Sequence, residues 1–382
     1  MGYQVSSELD GFNYLIAIFF IVCPLHFYKK DSVLAICYVI FYLLLYIPII
    51  ITFLFHYSNI LDFLYYALVL FISFVLIFII PIFFNSNEVS YKFFKLKHLL
   101  VINVLFTLLI VFFNFSQLSF VSFEDVYEHR GNLKLSSSLM GYIIMWNTYI
   151  VSPLLLITGL VQKNKIAIII GFLSSIIVYG VNASKIVLFI PFLIVFFYVL
   201  IRKRKDVLKQ LCLIFSVIIV VLTMVADSFF MTSAVILMRT FGIAGLLTYQ
   251  YNEFFLRHEP TYLSHVNLVN ALTDNYPYGD KPLGVVVNSF FEENYSNSNA
   301  NFWATDGIAS FGFEGVIFIS VLLGIFLGFW KKISSSNIRT YFMLLLVPFS
   351  FIILNVGMFT ALFSGGYAIF IFIFFINNIK KG

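Results

Sequence analysis

The chain of 382 residues is 61% hydrophobic and only 11% charged, with a formal net charge of +5 and a mean hydropathy of +0.99. Soluble domains carry roughly 25% charged residues, so a water-soluble globule is excluded. In hydrocarbon every backbone N–H and C=O must be satisfied within its own element, which leaves helices or a closed barrel, and the long continuous apolar runs select helices.

The first ten residues contain Glu8 and Asp10 but no Lys or Arg. That is the reverse of a cleavable leader's basic start, so the first apolar run is expected to be retained. Reading onward, the apolar runs predict spans over 12–28, 32–56, 60–84, 99–117, 139–161 and 166–180, the last being the shortest. Five more follow over 186–201, 210–227, 311–330, 340–357 and 366–378. The expected fold is therefore an all-α polytopic membrane protein, a single transmembrane domain over 1–382 with about eleven helices. Cys23, Cys37 and Cys212 all fall inside spans as small apolar groups, and no disulfide framework or Cys-based metal spacing is present.

Lys and Arg accumulate in cytoplasmic loops, and here they alternate along the chain. Seventeen of the 23 basic residues collect on one face, among them Lys29, Lys30, Lys92, Lys331, Lys332 and the run from Arg202 to Lys205. The other six are Arg130, Lys134, Lys185, Arg239, Arg257 and Lys281. The acids sort the opposite way, with fifteen of 18 on the sparse face. This pattern predicts an external N-terminus and a cytoplasmic C-terminus. Two outer segments are long enough to do more than connect: 118–138, and the larger 228–310 that precedes the ninth span. The latter opens with an amphipathic stretch, 235–255, expected to lie along the membrane surface or re-enter it.

No Walker loop, HExxH, Cys-pair or dinucleotide fingerprint occurs. Candidate chemistry therefore rests on a few cations and proton-transfer groups of the outer face. Lys185 follows the small polar break Gly180-Val181-Asn182-Ala183-Ser184. A cation near bilayer depth is either a functional group or an anchor snorkelling to the headgroups. Arg239 lies in the apolar run Val235 to Gly242, where its guanidinium could grip a phosphate through two parallel hydrogen bonds or pair with Asp227 or Glu253. Arg130 is a third cation, next to Glu124 and Glu128. For proton transfer the outer candidates are His129, His258, His265, Glu124, Asp125, Glu128 and Asp306. Asp306 stands out by its neighbours, Asn299-Ala300-Asn301-Phe302-Trp303-Ala304-Thr305. An aromatic face beside amide side chains suits a sugar, although Trp303 also reads as an interface anchor.

These patches together resemble the O-antigen and capsule repeat-unit polymerases of the Wzy type. The resemblance is carried by the eleven-span plan, by Asp125-Val126-Tyr127-Glu128-His129-Arg130, by the Asn182 to Lys185 break, and by the stretch from Asn299 to Gly315, which looks like the family's Asn-Ala-Asn … Phe-Gly-x-x-Gly lead-in to a late span. It implies a glycosyltransferase of the bacterial inner membrane that joins polyprenyl-pyrophosphate-linked oligosaccharides on the outer face. The partners implied are lipid-linked repeat units, the bilayer and a chain-length regulator, with no nucleic acid, cofactor or metal. Under that resemblance Lys185, Arg239 and Arg130 would hold the pyrophosphate. Asp306, His129 or His258 would take the acceptor proton, and Asn299, Asn301 and Trp303 would face sugar. Two rivals share the topology: a flippase or exporter of the same lipid-linked sugars, and a ligase-type glycosyltransferase.

Overall fold

The computed structural model describes residues 11–57, 59–85, 91–119, 137–225, 233, 237–291 and 297–379, and among these it is helical with no strand. Among the described residues eight helices are long and apolar enough to cross a membrane: Ala35–His56, Ile60–Phe83, Leu96–Phe113, Leu139–Val161, Lys165–Asn182, Lys185–Arg202, Val207–Met224 and Gly315–Ile333. An 18-residue helix measures about 27 Å, close to the hydrocarbon core of about 30 Å. Three shorter apolar helices, Gly11–Phe27, Arg339–Ile353 and Tyr367–Ile376, fall where the remaining three spans were expected. This is the architecture of a multi-pass α-helical membrane protein. In Val207–Met224 only Val207 and Leu211 are buried, and Leu213, Val217, Ile219, Val220 and Val221 lie open on its surface. Such a helix is at home in hydrocarbon and not in water.

Helix ends follow local chemistry. Asn59 starts its helix by accepting the Leu61 N–H at 3.1 Å. Asp206 does the same for Leu208 and Lys209 while also taking the phenol hydrogen of Tyr28 at 3.0 Å, the usual oxygen cap of exposed helix N–H groups. The expected sixth span, 166–180, is longer than its apolar run: the helix continues through Tyr179 and Gly180 to Asn182 and ends at Ala183, whose φ of 48° is left-handed. Lys185 then opens the next helix. The Asn182 side chain bridges the gap by accepting the Ser184 N–H at 2.9 Å.

The helices gather into two compact units. Unit 1 comprises 1–85, 206–332 and 353–359, and unit 2 comprises 86–205, 333–352 and 360–382. Within each unit, segments assigned by charge to one face meet one another. In unit 1 Lys29, Lys30 and Lys331 line one cavity. In unit 2 Lys92, Lys95, His98, Gln162 and Asn337 line another.

The amphipathic stretch packs on a membrane-level helix. Residues Met238–Gly242 form a π turn and Ile243–Phe255 an α-helix whose buried face is Gly245, Thr248, Tyr251, Asn252 and Phe254. That face packs on Ala35–His56, with Tyr249 against His56 at 4.0 Å between ring centres. This face of the stretch is therefore covered by protein.

Candidate functional site

The stretch Asn299 to Gly315 builds a tight structure in unit 1. Asn301 accepts the N–H groups of Trp303 and Ala304 at 3.1 and 3.2 Å, and its amide donates to Thr248 Oγ1 at 2.8 Å. One side chain thus starts the π turn Trp303–Ile308 and ties it to Ile243–Phe255. The two glycines of the motif have separate uses. Gly312 sits at φ 73°, and a Cβ on Gly315 would stand 2.3 Å from the Gly307 carbonyl, so the chain can fold back on the turn only with glycine there.

Asp306 projects from this π turn into the protein. Its side chain is 1% exposed, and that of His265 is 10%. Asp306 Oδ2 accepts the Met358 N–H, while Oδ1 faces His265 Nε2 at 3.4 Å. The other imidazole nitrogen, Nδ1, lies 2.9 Å from Thr261 Oγ1. Thr261 is anchored in turn, with both its backbone N–H and its hydroxyl within reach of the Ala309 carbonyl at 2.7 and 2.9 Å. Between Thr261 and His265 the backbone passes through two left-handed residues, Tyr262 at φ 46° and Leu263 at φ 67°. Side-chain-bearing residues avoid that region at about 1–3 kcal/mol each, and such conformations cluster at functional sites.

The hydrogen-bond chain constrains the protons. If the Thr261 hydroxyl donates to Ala309, Nδ1 must donate to Thr261; if it donates to Nδ1, Nε2 must carry the ring hydrogen. Every arrangement that avoids two facing lone pairs places one proton between His265 Nε2 and Asp306 Oδ1. At 3.4 Å that contact is looser than an ordinary hydrogen bond, whereas the Thr261 contact is tight. The imidazole is therefore fixed at one nitrogen and loosely held at the other, a geometry suited to exchanging a proton.

A second feature of unit 1 surrounds the His56 end of Ala35–His56 and the Ile60 end of Ile60–Phe83. Tyr57 donates to Glu253 Oε1 at 3.0 Å and accepts from Asn252 at 2.8 Å. Tyr57 and Tyr66 lie 4.5 Å apart, and Tyr66 meets Phe313 edge-on at 4.6 Å. Tyr65 donates to Glu314, and Arg257 pairs with Glu253 at 3.7 Å. Tyr65 is 43% exposed, so the cluster offers ring faces and carboxylates at the surface. Sugars bind through that combination of C–H stacking and hydroxyl hydrogen bonds. The cluster draws on 53–66, 249–257 and 313–314, segments that sequence spacing does not connect; only the density of tyrosines at 57, 65 and 66 hinted at it.

The structure corrects several expectations. Trp303 is fully buried and spends its indole N–H on Ser320 Oγ at 2.8 Å, so it has no face open to a sugar and serves as core. Asn301, also buried, is likewise consumed by internal hydrogen bonds, while Asn299 is exposed. Asp306 is buried with both its oxygens turned to protein groups, Oδ2 to the Met358 N–H and Oδ1 to His265. His258 is committed elsewhere: its ring stacks on Phe254 at 3.9 Å with Nδ1 2.9 Å from the Phe254 carbonyl. Lys185 is half-buried at its helix start in unit 2. Arg239 lies in the Met238–Gly242 turn, with its side chain outside the described residues, and His129, Arg130, Glu124 and Asp125 also lie outside them. Among the described residues no group of three or more His, Cys, Asp or Glu side chains converges as metal ligands would.

No family model matches the chain, and neither does any curated protein or solved structure.

Proposed function

We propose that the chain is a polymerase of lipid-linked oligosaccharide repeat units, acting on the non-cytoplasmic face of a bacterial inner membrane. The observation that carries the reading is the His265–Asp306 pair, set in the same unit as an aromatic and carboxylate surface and built from the segments that the charge rule assigns outside. In the proposed reaction a terminal hydroxyl oxygen of one repeat unit attacks the anomeric carbon of another. The bond from that carbon to the polyprenyl pyrophosphate breaks, and the pyrophosphate departs with the bonding electrons. The hydroxyl proton passes to His265 Nε2 once its loose 3.4 Å contact with Asp306 Oδ1 opens, while Nδ1–H stays on Thr261 and the proton formerly shared with Asp306 remains on that carboxyl. Negative charge develops on the leaving pyrophosphate and calls for a cation there, for which Arg239 of the same unit is the proposed group.

Membranes carrying His265→Ala should elongate lipid-linked repeat units roughly 10²–10⁴-fold more slowly, the usual contribution of a positioned proton acceptor, with normal insertion. Asp306→Asn should keep the Met358 contact and shift the pH profile of elongation. Wild-type chain lengths at unchanged rate in both variants would overturn the assignment.

One observation favours an exporter of the same lipids. Unit 2 holds a buried polar knot within its apolar helices: the two hydrogens of the Asn103 amide nitrogen are shared among Asn147 Oδ1 at 3.1 Å, Ser152 Oγ at 2.8 Å and Ser174 Oγ at 3.2 Å. Polar sites inside spans are the habit of transporters, although small hydroxyl and amide side chains also hold helices together. A deletion strain separates the readings. Single repeat units on the surface speak for the polymerase, and loss of all repeats for export.

A further inference from the structure

We propose that unit 1 carries a binding site for the headgroup of an anionic phospholipid, at the end of the unit where the basic loops gather. This is independent of the polymerase reading and lies on the opposite predicted face. The site is a cavity of about 430 Å³ lined by Lys29, Lys30 and Lys331, with Asp31 as the single acid of its wall. Three cations against one carboxylate leave the cavity net positive. Lys331 is held in place: half-buried on Gly315–Ile333, it donates through Nζ to the Pro81 carbonyl at 2.9 Å. Lys29 and Lys30 are exposed and reach the same space from the turn after Cys23–Phe27.

The remainder of the wall decides the ligand class. Phe27, Leu34, Phe78 and Ile82 give the cavity an apolar side, and these residues belong to or adjoin membrane-level helices. A free phosphate would use the lysines and leave that apolar side unused. A phospholipid matches both, its phosphodiester among the ammonium groups and its glycerol and first methylenes against the aromatic and aliphatic wall. Basic residues at the cytoplasmic membrane surface attract anionic lipid in just this way.

The test uses the full-length protein purified in detergent and mixed with short-chain phosphatidylglycerol, phosphatidylcholine or inorganic phosphate, with bound molecules counted by native mass spectrometry. Phosphatidylglycerol should be retained over phosphatidylcholine. Each of Lys29→Gln and Lys331→Gln should weaken retention about fivefold, and the double variant on the order of 25-fold. Lys209→Gln, a basic residue of the same predicted face outside the cavity, should change nothing. To guard against a folding defect, the unaltered protein is also crosslinked with a photoactivatable phosphatidylglycerol, which should label residues 27–38 or 78–82. Equal retention of the two lipids, an unaffected double variant, crosslinks elsewhere, or phosphate binding as well as the lipid would each overturn the proposal.

Discussion

Gly357 is the residue on which the Asp306 carboxylate most directly depends. A Cβ there would stand 2.7 Å from both carboxylate oxygens, closer than real side chains approach. Gly357→Ala should therefore push Asp306 away from the Met358 N–H and destabilise the protein by about 1–3 kcal/mol, read as a lower midpoint in thermal unfolding. Asp306 itself was legible because it is a carboxylate placed just ahead of a long apolar run. Its partner was not: His265 was one outer histidine among three, and their sequence separation of 41 is closed only by the folded chain. Trp303 misled for a related reason. An aromatic ring beside amides looks the same in sequence whether it faces a ligand or Ser320, and burial decides between them.

At the scale of elements, most span positions were readable because an apolar run of bilayer length has few alternatives. Their ends were less so. The sixth helix runs on past Gly180 through Val181 to the polar Asn182, where Ala183 turns left-handed, and hydropathy does not register that end. The stretch 235–255 reads as amphipathic, but amphipathicity does not say what covers either face; the one bearing Gly245, Thr248 and Asn252 is covered by protein. The polar segment after it is closed by two phenols: Tyr276 donates to the Lys281 carbonyl at 3.1 Å and Tyr278 to that of Glu259. Burial pushes both up to about 12 from the usual 10. Because the folded state holds these protons more tightly, this contribution is intact below pH 10 and declines as pH rises from about 10 to 12. Phenolate absorbance of these two tyrosines, isolated by Phe replacement, should accordingly appear near pH 12 and coincide with loosening of the segment, read as faster proteolysis at 257–291. Onset near pH 10 would show the phenols to be free in solution.

For the whole molecule the decisive question is sidedness. Charge alternation assigns Lys29, Lys30 and Lys331 to one face and the 228–310 segment to the other, and within unit 1 the three lysines do meet at one cavity. In a chain whose native cysteines are replaced, a cysteine at exposed Asn299 should react with an impermeant thiol reagent in intact cells. One at exposed Lys30 should react only after the membrane is opened. The reverse pattern would invert the topology. The alternation was legible because it sums over many loops, so no single boundary error hides it. How the chain divides into two units was not, since each unit is assembled from segments far apart in sequence.

The extra residue wound into the Trp303–Ile308 turn sets a limit on how this protein can change. In a regular helix a one-residue deletion rotates everything beyond it by about 100°, and a π turn is the place where such a loss would be sterically easiest, since it simply restores ordinary winding. The same loss would swing Asp306 away from His265 or carry Gly312 and Gly315 out of step with it. Shortening at this point is therefore cheap for the backbone and ruinous for the contact between Asp306 and His265.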